Sequence, residues 1–540
     1  MASSDPQRGP PTGGQGSTDA AAGQGPQTEG GKGSASPASA DVAIAPARLM
    51  LVLGLLVMSQ FAVVVDFSIV QIALPTIRVD LGMSLADVQW IVSAYGLTFA
   101  GFLLLSGRLS DIYGRKRLFV LGLLVFWLSS LAAGLATSEL VLISARIVQG
   151  VGAAMASATC LALITRIFGP LGRLNQALGI FTAVSSAGFS AGVILGGVLT
   201  EALGWRWIFF VNVPIGFVAT ALAVRILPEQ ARAGKGAGRS LDVPGAVSVT
   251  GGLMLLVYGL SEVGNGDSSL LTYASFALAG VVLASFIAIE SRSAAPLMPL
   301  GFLGRRTIFL SNATALLTFA TTVPMVFLLT TYMQTLLSYP ALTAAAALIP
   351  GALVYFFLGG FGAPRLVRRF GAKPVLVVAM VALCGGLLLM ARVSASSSYV
   401  PVLLPAILIA SGGGALSATA SNIAALAGAA RGEEGVASGL INTSRQIGGP
   451  IGLAVAVGVI GLVTHGQGVS GSPGEVVTAF RYAFVASAAF AGMAIVASLL
   501  LTGGPAKRLE VGRPAVAPPI PAEIAGEGWR PGEPRTQASG

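Results

Sequence analysis

The chain holds one histidine in 540 residues, two cysteines, and charge on only 10% of its positions. Each scarcity excludes something. A soluble domain carries about 25% charged residues. This chain, 54% hydrophobic with a mean hydropathy of +0.81, has more apolar surface than a water-soluble core can absorb. His465 stands alone in a loop, which argues against a histidine metal site or a Ser-His-Asp triad. Cys160 and Cys384 both lie in apolar runs, with neither metal spacing nor a disulfide framework, and read as small buried residues. A phosphate loop is missing too. "EGGKGS" at 29–34 comes near it, but Pro26 stands where the first glycine of GxxxxGK[ST] belongs and Gly33 where the Ser/Thr belongs. Nothing in the sequence looks built to hydrolyse ATP. Residues 1–47 have no basic start and no apolar stretch of the signal-peptide kind; they read as a disordered Gly/Ser/Pro-rich tail.

What is present is a series of apolar runs. A hydrocarbon core of about 30 Å takes roughly 20 helical residues to cross. Fourteen runs reach that length, near 49–75, 88–106, 118–136, 140–165, 176–200, 207–227, 243–262, 269–289, 307–331, 341–361, 374–391, 399–429, 435–463 and 482–502. The expected fold class is therefore an all-α polytopic membrane protein. An even number of spans puts both tails on one side. The loops on that side and the C-terminal flank hold twenty Lys and Arg residues, against four (Arg78, Arg206, Arg392 and Arg481) opposite. Basic loops face the cytoplasm, so both termini are expected inside a cytoplasmic membrane. The net charge of +10 is then topological rather than a nucleic-acid footprint.

An internal repeat divides the chain. "GRLSDIYGRKR" (107–117) follows the second span and "PRLVRRFGAKP" (364–374) the tenth. They share Arg108/Arg365, Leu109/Leu366, Tyr113/Phe370, Gly114/Gly371 and Lys116/Lys373 at one constant offset. Two parallel six-span halves with two extra spans between them place the copies there. The expected divisions are a tail at 1–47, a half at 48–228, the extra pair with its linkers at 229–306, a half at 307–502, and a Pro/Gly-rich tail at 503–540.

A few polar residues interrupt the spans. Asp66 lies in "SQFAVVVDFSIVQIALP" (59–75), nine residues before Pro75, or about 13 Å of helix. An acid at the bilayer centre costs about 2.5–3.5 kcal/mol, so it usually faces a cavity or a partner. Desolvation raises its pKa and a nearby cation lowers it, which suits exchange of a proton for a cationic substrate. The alternative is a structural carboxyl bonded to a neighbouring helix. Arg146 and Gln149 point together from the fourth span. A fixed cation there would tune the acid, or it would snorkel to the interface. In the thirteenth span Asn442 and Arg445 share a small, polar face with Ser438, Gly449 and Gly452, either lining a pathway or anchoring the bundle. Gly188, Gly192 and Gly196 recur every fourth residue in the fifth span, followed by Gly197, a face suited to close helix packing. Trp90, Tyr95, Trp205 and Trp207 fit aromatic belts or span interiors.

Taken in order, these stretches resemble a known family. "GRLSDIYGRKR" resembles the signature loop of the major facilitator superfamily, and "RIVQGVGAA" (146–154) its fourth-helix motif. "GFSAGVILGG" (188–197) resembles the antiporter motif, with Val193 where that motif carries proline, and "VVDFSIVQIALP" (64–75) the first-helix motif of the fourteen-helix drug:proton antiporters of the QacA/EmrB type. The resemblance runs from about residue 49 to 502. It implies two six-helix halves that rock about a midplane cavity, plus two extra central helices. It also implies proton-coupled export of hydrophobic or amphipathic drugs, antibiotics included, by a monomer that needs no cofactor beyond the proton gradient. In such proteins the arginine at the Arg146 position is implicated in proton coupling. The loop residues matched here by Gly107, Arg108, Asp111, Gly114, Arg115, Lys116 and Arg117 gate the cytoplasmic side, where Asp and basic residues clamp the halves. The second copy has Arg368 opposite Asp111, so such a clamp is asymmetric here, with Glu433 and Glu434 as acids on the same side. A carrier dedicated to one metabolite shares that fold, and a transport-dead sensor would need no acid at midplane.

Overall fold

The computed structural model describes residues 46–228, 242–264, 269–293, 296, 300–395, 397–430 and 433–501. The expected tail at 503–540, nearly all of that at 1–47, and Arg431 lie outside them. The described residues form helices and connecting turns, with no strand among them. Lipid offers no partner for backbone N–H and C=O groups, so an apolar run must bond internally as a helix.

Fourteen helices are long and apolar enough to cross a membrane. In order they are span 1 (Arg48–Asp80), span 2 (Leu85–Tyr113), span 3 (Arg115–Gly134), span 4 (Glu139–Phe168), span 5 (Gln176–Ala202), span 6 (Trp207–Ile226), span 7 (Val243–Val263), span 8 (Leu270–Arg292), span 9 (Arg306–Thr335), span 10 (Ala341–Phe370), span 11 (Ala372–Met390), span 12 (Tyr399–Gly428), span 13 (Gly435–Ser470) and span 14 (Pro473–Leu500). Side chains fix two of the starts. Ser84 and Asp87 make a reciprocal capping box at span 2, and Ser472 and Glu475 another at span 14, each satisfying two otherwise orphaned amides.

The structure lengthens two elements relative to hydropathy. Residues 107–113 are helical, not loop, and the chain turns only at Gly114, with φ +96°. In the second copy, residues 363–370 are helical and Gly371 turns with φ +86°. The glycines aligned in the repeat thus adopt the same left-handed conformation, one that side chains with a Cβ rarely take.

Packing follows the repeat. Within the first six spans, span 1 packs on 5 and 6, span 4 on 2 and 3, and span 3 on 6. Within spans 9–14, span 9 packs on 12, 13 and 14, and span 11 on 12 and 14. The two groups meet where span 2 touches 13, span 5 touches 10, and span 1 touches 9. Span 7 lies against both 2 and 13, with span 8 outside it. Large apolar side chains such as Phe217, Val281 and Leu270 are exposed on the outer surface, as a lipid-facing bundle requires.

The end away from the termini is tied between the groups. Gln334 Nε2 donates to the Ile72 carbonyl at 2.9 Å, and the Leu342 amide to Glu201 Oε2 at 2.8 Å. Gly197 lets span 10 approach closely: a Cβ there would meet Leu342 Cα at 3.1 Å and overlap Ala345 Cβ. The other glycines of that stretch serve span 1. A Cβ on Gly192 would come within 2.8 Å of the Val65 carbonyl oxygen, and one on Gly196 within 2.7 Å of that of Ile69. Gly188 sits more loosely over Phe61 and Val64.

Candidate functional site

The "RIVQGVGAA" stretch carries two glycines that let span 4 sink between its neighbours. Gly150 abuts the Tyr95 carbonyl of span 2, and Gly152 abuts the Phe126 amide of span 3. That close approach carries Arg146 and Gln149, three residues apart on one helix face, into the centre of spans 1–6. Asp66 meets them there from span 1. All three side chains are fully buried.

Arg146 Nη1 lies 2.7 Å from Asp66 Oδ2. Its Nε donates to the Ile91 carbonyl at 2.9 Å, and Nη1 also reaches Gln149 Oε1 at 2.6 Å. The Tyr95 ring lies 4.2 Å from the guanidinium carbon, a distance at which a ring face attracts a cation. The second carboxylate oxygen, Oδ1, accepts from Gln149 Nε2 at 2.9 Å and from Asn212 Nδ2 at 2.8 Å. Both amides also contact Ser130 Oγ at 3.2 Å, and that hydroxyl donates to the Phe209 carbonyl at 3.0 Å. Spans 1, 2, 3, 4 and 6 all contribute to this cluster. Arg146 does not snorkel, and Asp66 is not a lone acid. Stripping water from two charges costs several kcal/mol per ion, which pairing and further hydrogen bonds must offset. Here both carboxylate oxygens are satisfied.

Three contributors are not among the site residues expected from sequence. Asn212, in "FVNVPIGF" (210–217), is an amide in an apolar run and is visible by the same logic that finds Asp66. Ser130 and Tyr95 carry no such signal, since serine and tyrosine are common in spans.

The gating stretch is placed at the end of span 2. Asp111 pairs with Arg115 at 3.0 Å within its own turn. Arg108 donates to the Pro296 carbonyl, ahead of span 9. Gly107 is helical with open space beside it, and Lys116 and Arg117 lie in the first turn of span 3. Glu433 pairs with Arg305, inside the second group of spans. Among the described residues Asp111 itself makes no ion pair with spans 9–14. Arg305 holds the Glu433 carboxyl below the usual carboxylate range, assisted by the Ala430 amide.

In span 13, Arg445 donates to the Ala418 carbonyl of span 12 and lies 5.6 Å from the Phe319 ring of span 9. Asn442, one turn earlier, is half-buried. Gly449 and Gly452 on the same face pack on span 9, against Val323 and the Ala320 carbonyl.

Helices that cross the membrane in two meeting groups, with an ion pair sealed inside one of them, define a helical membrane carrier. The chain belongs to the Major Facilitator Superfamily, whose family model matches residues 56–453. It is 42% identical to the cephamycin export protein CmcT of Amycolatopsis lactamdurans, over 80% of this chain and 88% of that one. It is 36% identical to the puromycin resistance protein pur8 of Streptomyces alboniger, over 82% and 88%. With the tetracenomycin C resistance and export protein of Streptomyces glaucescens the identity is 34%, over 73% and 72%. Among solved structures, the POT family transporter PepTSo aligns at TM-score 0.60 and 13% identity, covering 84% of this chain and 97% of that one. A bacterial homolog of the human lysosomal transporter Spinster gives 0.60 and 15%, over 84% and 96%. At such identities these likenesses speak for the fold alone. The protein is a multi-pass membrane transporter, not an enzyme.

Proposed function

We propose that the protein exports hydrophobic or amphipathic antibiotics in exchange for protons, by alternating access. It acts as a monomer in the cytoplasmic membrane with both termini inside. The observation that carries this is the sealed Asp66–Arg146 pair, in a chain whose relatives are named for antibiotic export and resistance. Protonating Asp66 removes one charge of the pair and weakens the acceptor that Gln149 and Asn212 share. Arg146 is then held by the Ile91 carbonyl and the Tyr95 ring. Five of the first six spans touch the cluster, so a change of charge there alters how that half presents spans 1, 2 and 5 to spans 9, 13 and 10. Because Asp66 is fully buried, a proton reaches it only when helices part, which couples proton entry to movement. The Asp111 and Arg115 turn would gate the cytoplasmic end, re-pairing across the halves when that end closes.

Several relatives are named for one antibiotic, which favours, as a second reading, a carrier dedicated to one compound. Reconstituted protein under an imposed pH gradient, offered a panel of cationic, neutral and anionic drugs, tests both. Gradient-driven flux of several unrelated compounds supports broad export, and flux of one supports the dedicated carrier. No gradient-driven flux of any compound defeats proton-coupled export.

A further inference from the structure

Arg146 and Arg445 are both set deep in the bundle, and they are treated differently. Arg146 is matched by Asp66. Arg445 lies ten residues into span 13, about 15 Å along its axis. No acidic side chain pairs with it among the described residues. Its Nη2 bonds the Ala418 carbonyl, while its Nε is buried without any hydrogen-bond partner. The residue as a whole is half-buried, with its Nε among the buried atoms. Tyr355 of span 10 lies in the neighbourhood of Arg445. The Tyr355 ring meets Phe189 of span 5 at 5.7 Å, across the line where the two halves join, and the Phe319 ring of span 9 lies 5.6 Å from the Arg445 guanidinium carbon.

We infer that Arg445 is the binding site for the anionic group of the substrate, a carboxylate borne on a flat apolar body that lies against Phe319, Tyr355 and Phe189. The inference deepens the export reading and rests on it for substrate class. Two observations carry it. An unmatched cation in a low-dielectric interior is costly until an anion arrives, and a guanidinium fork whose buried Nε lacks a partner gains a bond if the side chain turns to a carboxylate. The acid of Asp66, by contrast, has both oxygens engaged by Arg146, Gln149 and Asn212. The charge left for a substrate is therefore positive, not negative, which reverses the cationic substrate expected from Asp66 alone.

The test is binding of 1-pyrenebutyrate and of its methyl ester to the purified full chain in detergent, read by fluorescence anisotropy with no gradient present. Wild type is expected to bind the acid at least about tenfold more tightly than the ester, the ratio that a charge-assisted bidentate contact supplies. Arg445→Gln should bring that ratio to about one while the thermal melt stays cooperative. Arg445→Lys, which keeps the charge but not the fork, should weaken acid binding several-fold and leave the ester unchanged; it serves if Arg445→Gln fails to fold. No acid preference in wild type overturns the inference, as does a preference that survives Arg445→Gln or acid affinity unchanged in Arg445→Lys. Acid preference with no gradient-driven flux of any compound defeats the export reading alone. Flux of neutral compounds without acid preference defeats this inference alone.

Discussion

In spans 1–6 a deep acid and a deep base hold each other; in spans 9–14 a deep base stands without an acid among the described residues. The polar groups around them differ in the same way. The first half bonds across helices, from Asp66 to Arg146, Gln149 and Asn212 on two other spans. The second half has no ion pair of this kind among the described residues: its side-chain bonds across helices include neutral ones such as Thr318 to Ser417 and Ser444 to Asn312, beside hydroxyls bonded back along their own helix. Thr314, Thr318 and Thr322 of span 9 each reach the carbonyl four residues earlier, at 2.8, 2.7 and 3.0 Å. Back-bonded hydroxyls make a helix tolerable in lipid without committing it to a neighbour. Cross-helix charge does commit it. In the proposed exchange, one half would respond to a proton as a unit and the other would offer a surface.

The largest effect expected is from breaking the pair. Removing one partner of a buried ion pair costs about 3–5 kcal/mol. Asp66→Asn and Arg146→Leu should each lower the melting temperature of the purified protein sharply and abolish gradient-driven flux in proteoliposomes. The double variant Asp66→Leu/Arg146→Leu should recover much of the stability, since neither charge is left unmatched, yet stay inactive. Export by the double variant would mean that the pair is structural only.

The repeat offers an effect of intermediate size. Gly114→Ala and Gly371→Ala each place a Cβ on a left-handed residue, at φ +96° and +86°, for roughly 1–2 kcal/mol apiece. Equal losses in thermal melts would mark the two turns as equivalent. A loss at only one would show that the halves carry their loads differently.

Much of this is legible in the sequence, for reasons that can be named. Apolar runs give spans because lipid permits little else. Asp66, Arg146 and Gln149 stand out because ionised and amide side chains are rare in such runs. Asn212 carries the same signal, but it is a lone amide, and the charged residue on its span, Arg225, lies at the far end. The helical ends of spans 2 and 10 look like loops because hydropathy marks where a helix leaves lipid, not where it stops. Burial and pairing are out of reach: sequence gives the charges of Asp66, Arg146 and Arg445, but only their positions reveal that two cancel and one does not.

A smaller effect separates the two kinds of polar contact. Thr318 and Ser417 share a hydrogen bond of 2.7 Å between spans 9 and 12. Interhelical hydroxyl bonds in membranes average about 0.6 kcal/mol. Thr318→Val should therefore shift the melt by little and leave flux measurable, although it too removes a buried cross-helix bond. A loss as large as that of Asp66→Asn would erase the contrast between the halves, making any buried bond as critical as the ion pair.

The least effect is expected at the Arg305 and Glu433 pair, which is charged like the central pair but exposed. Arg305 Nη2 lies 3.0 Å from Glu433 Oε1, and the Ala430 amide donates to Oε2 at 2.9 Å. These contacts hold the Glu433 carboxyl below its ordinary range. What they contribute is therefore present above the usual carboxylate pKa and is lost as pH falls through the lowered one. Water and salt screen such a pair, so Glu433→Gln should leave the melting temperature at neutral pH indistinguishable from wild type. Added salt should not widen the gap. At acid pH, where the Glu433 carboxyl is protonated, wild type and variant should match as well. If Glu433→Gln instead removed transport at neutral pH, pairing at the tail end would matter as much as burial at the centre, and the division between a proton-responsive half and a surface-offering half would have to be redrawn around the loops.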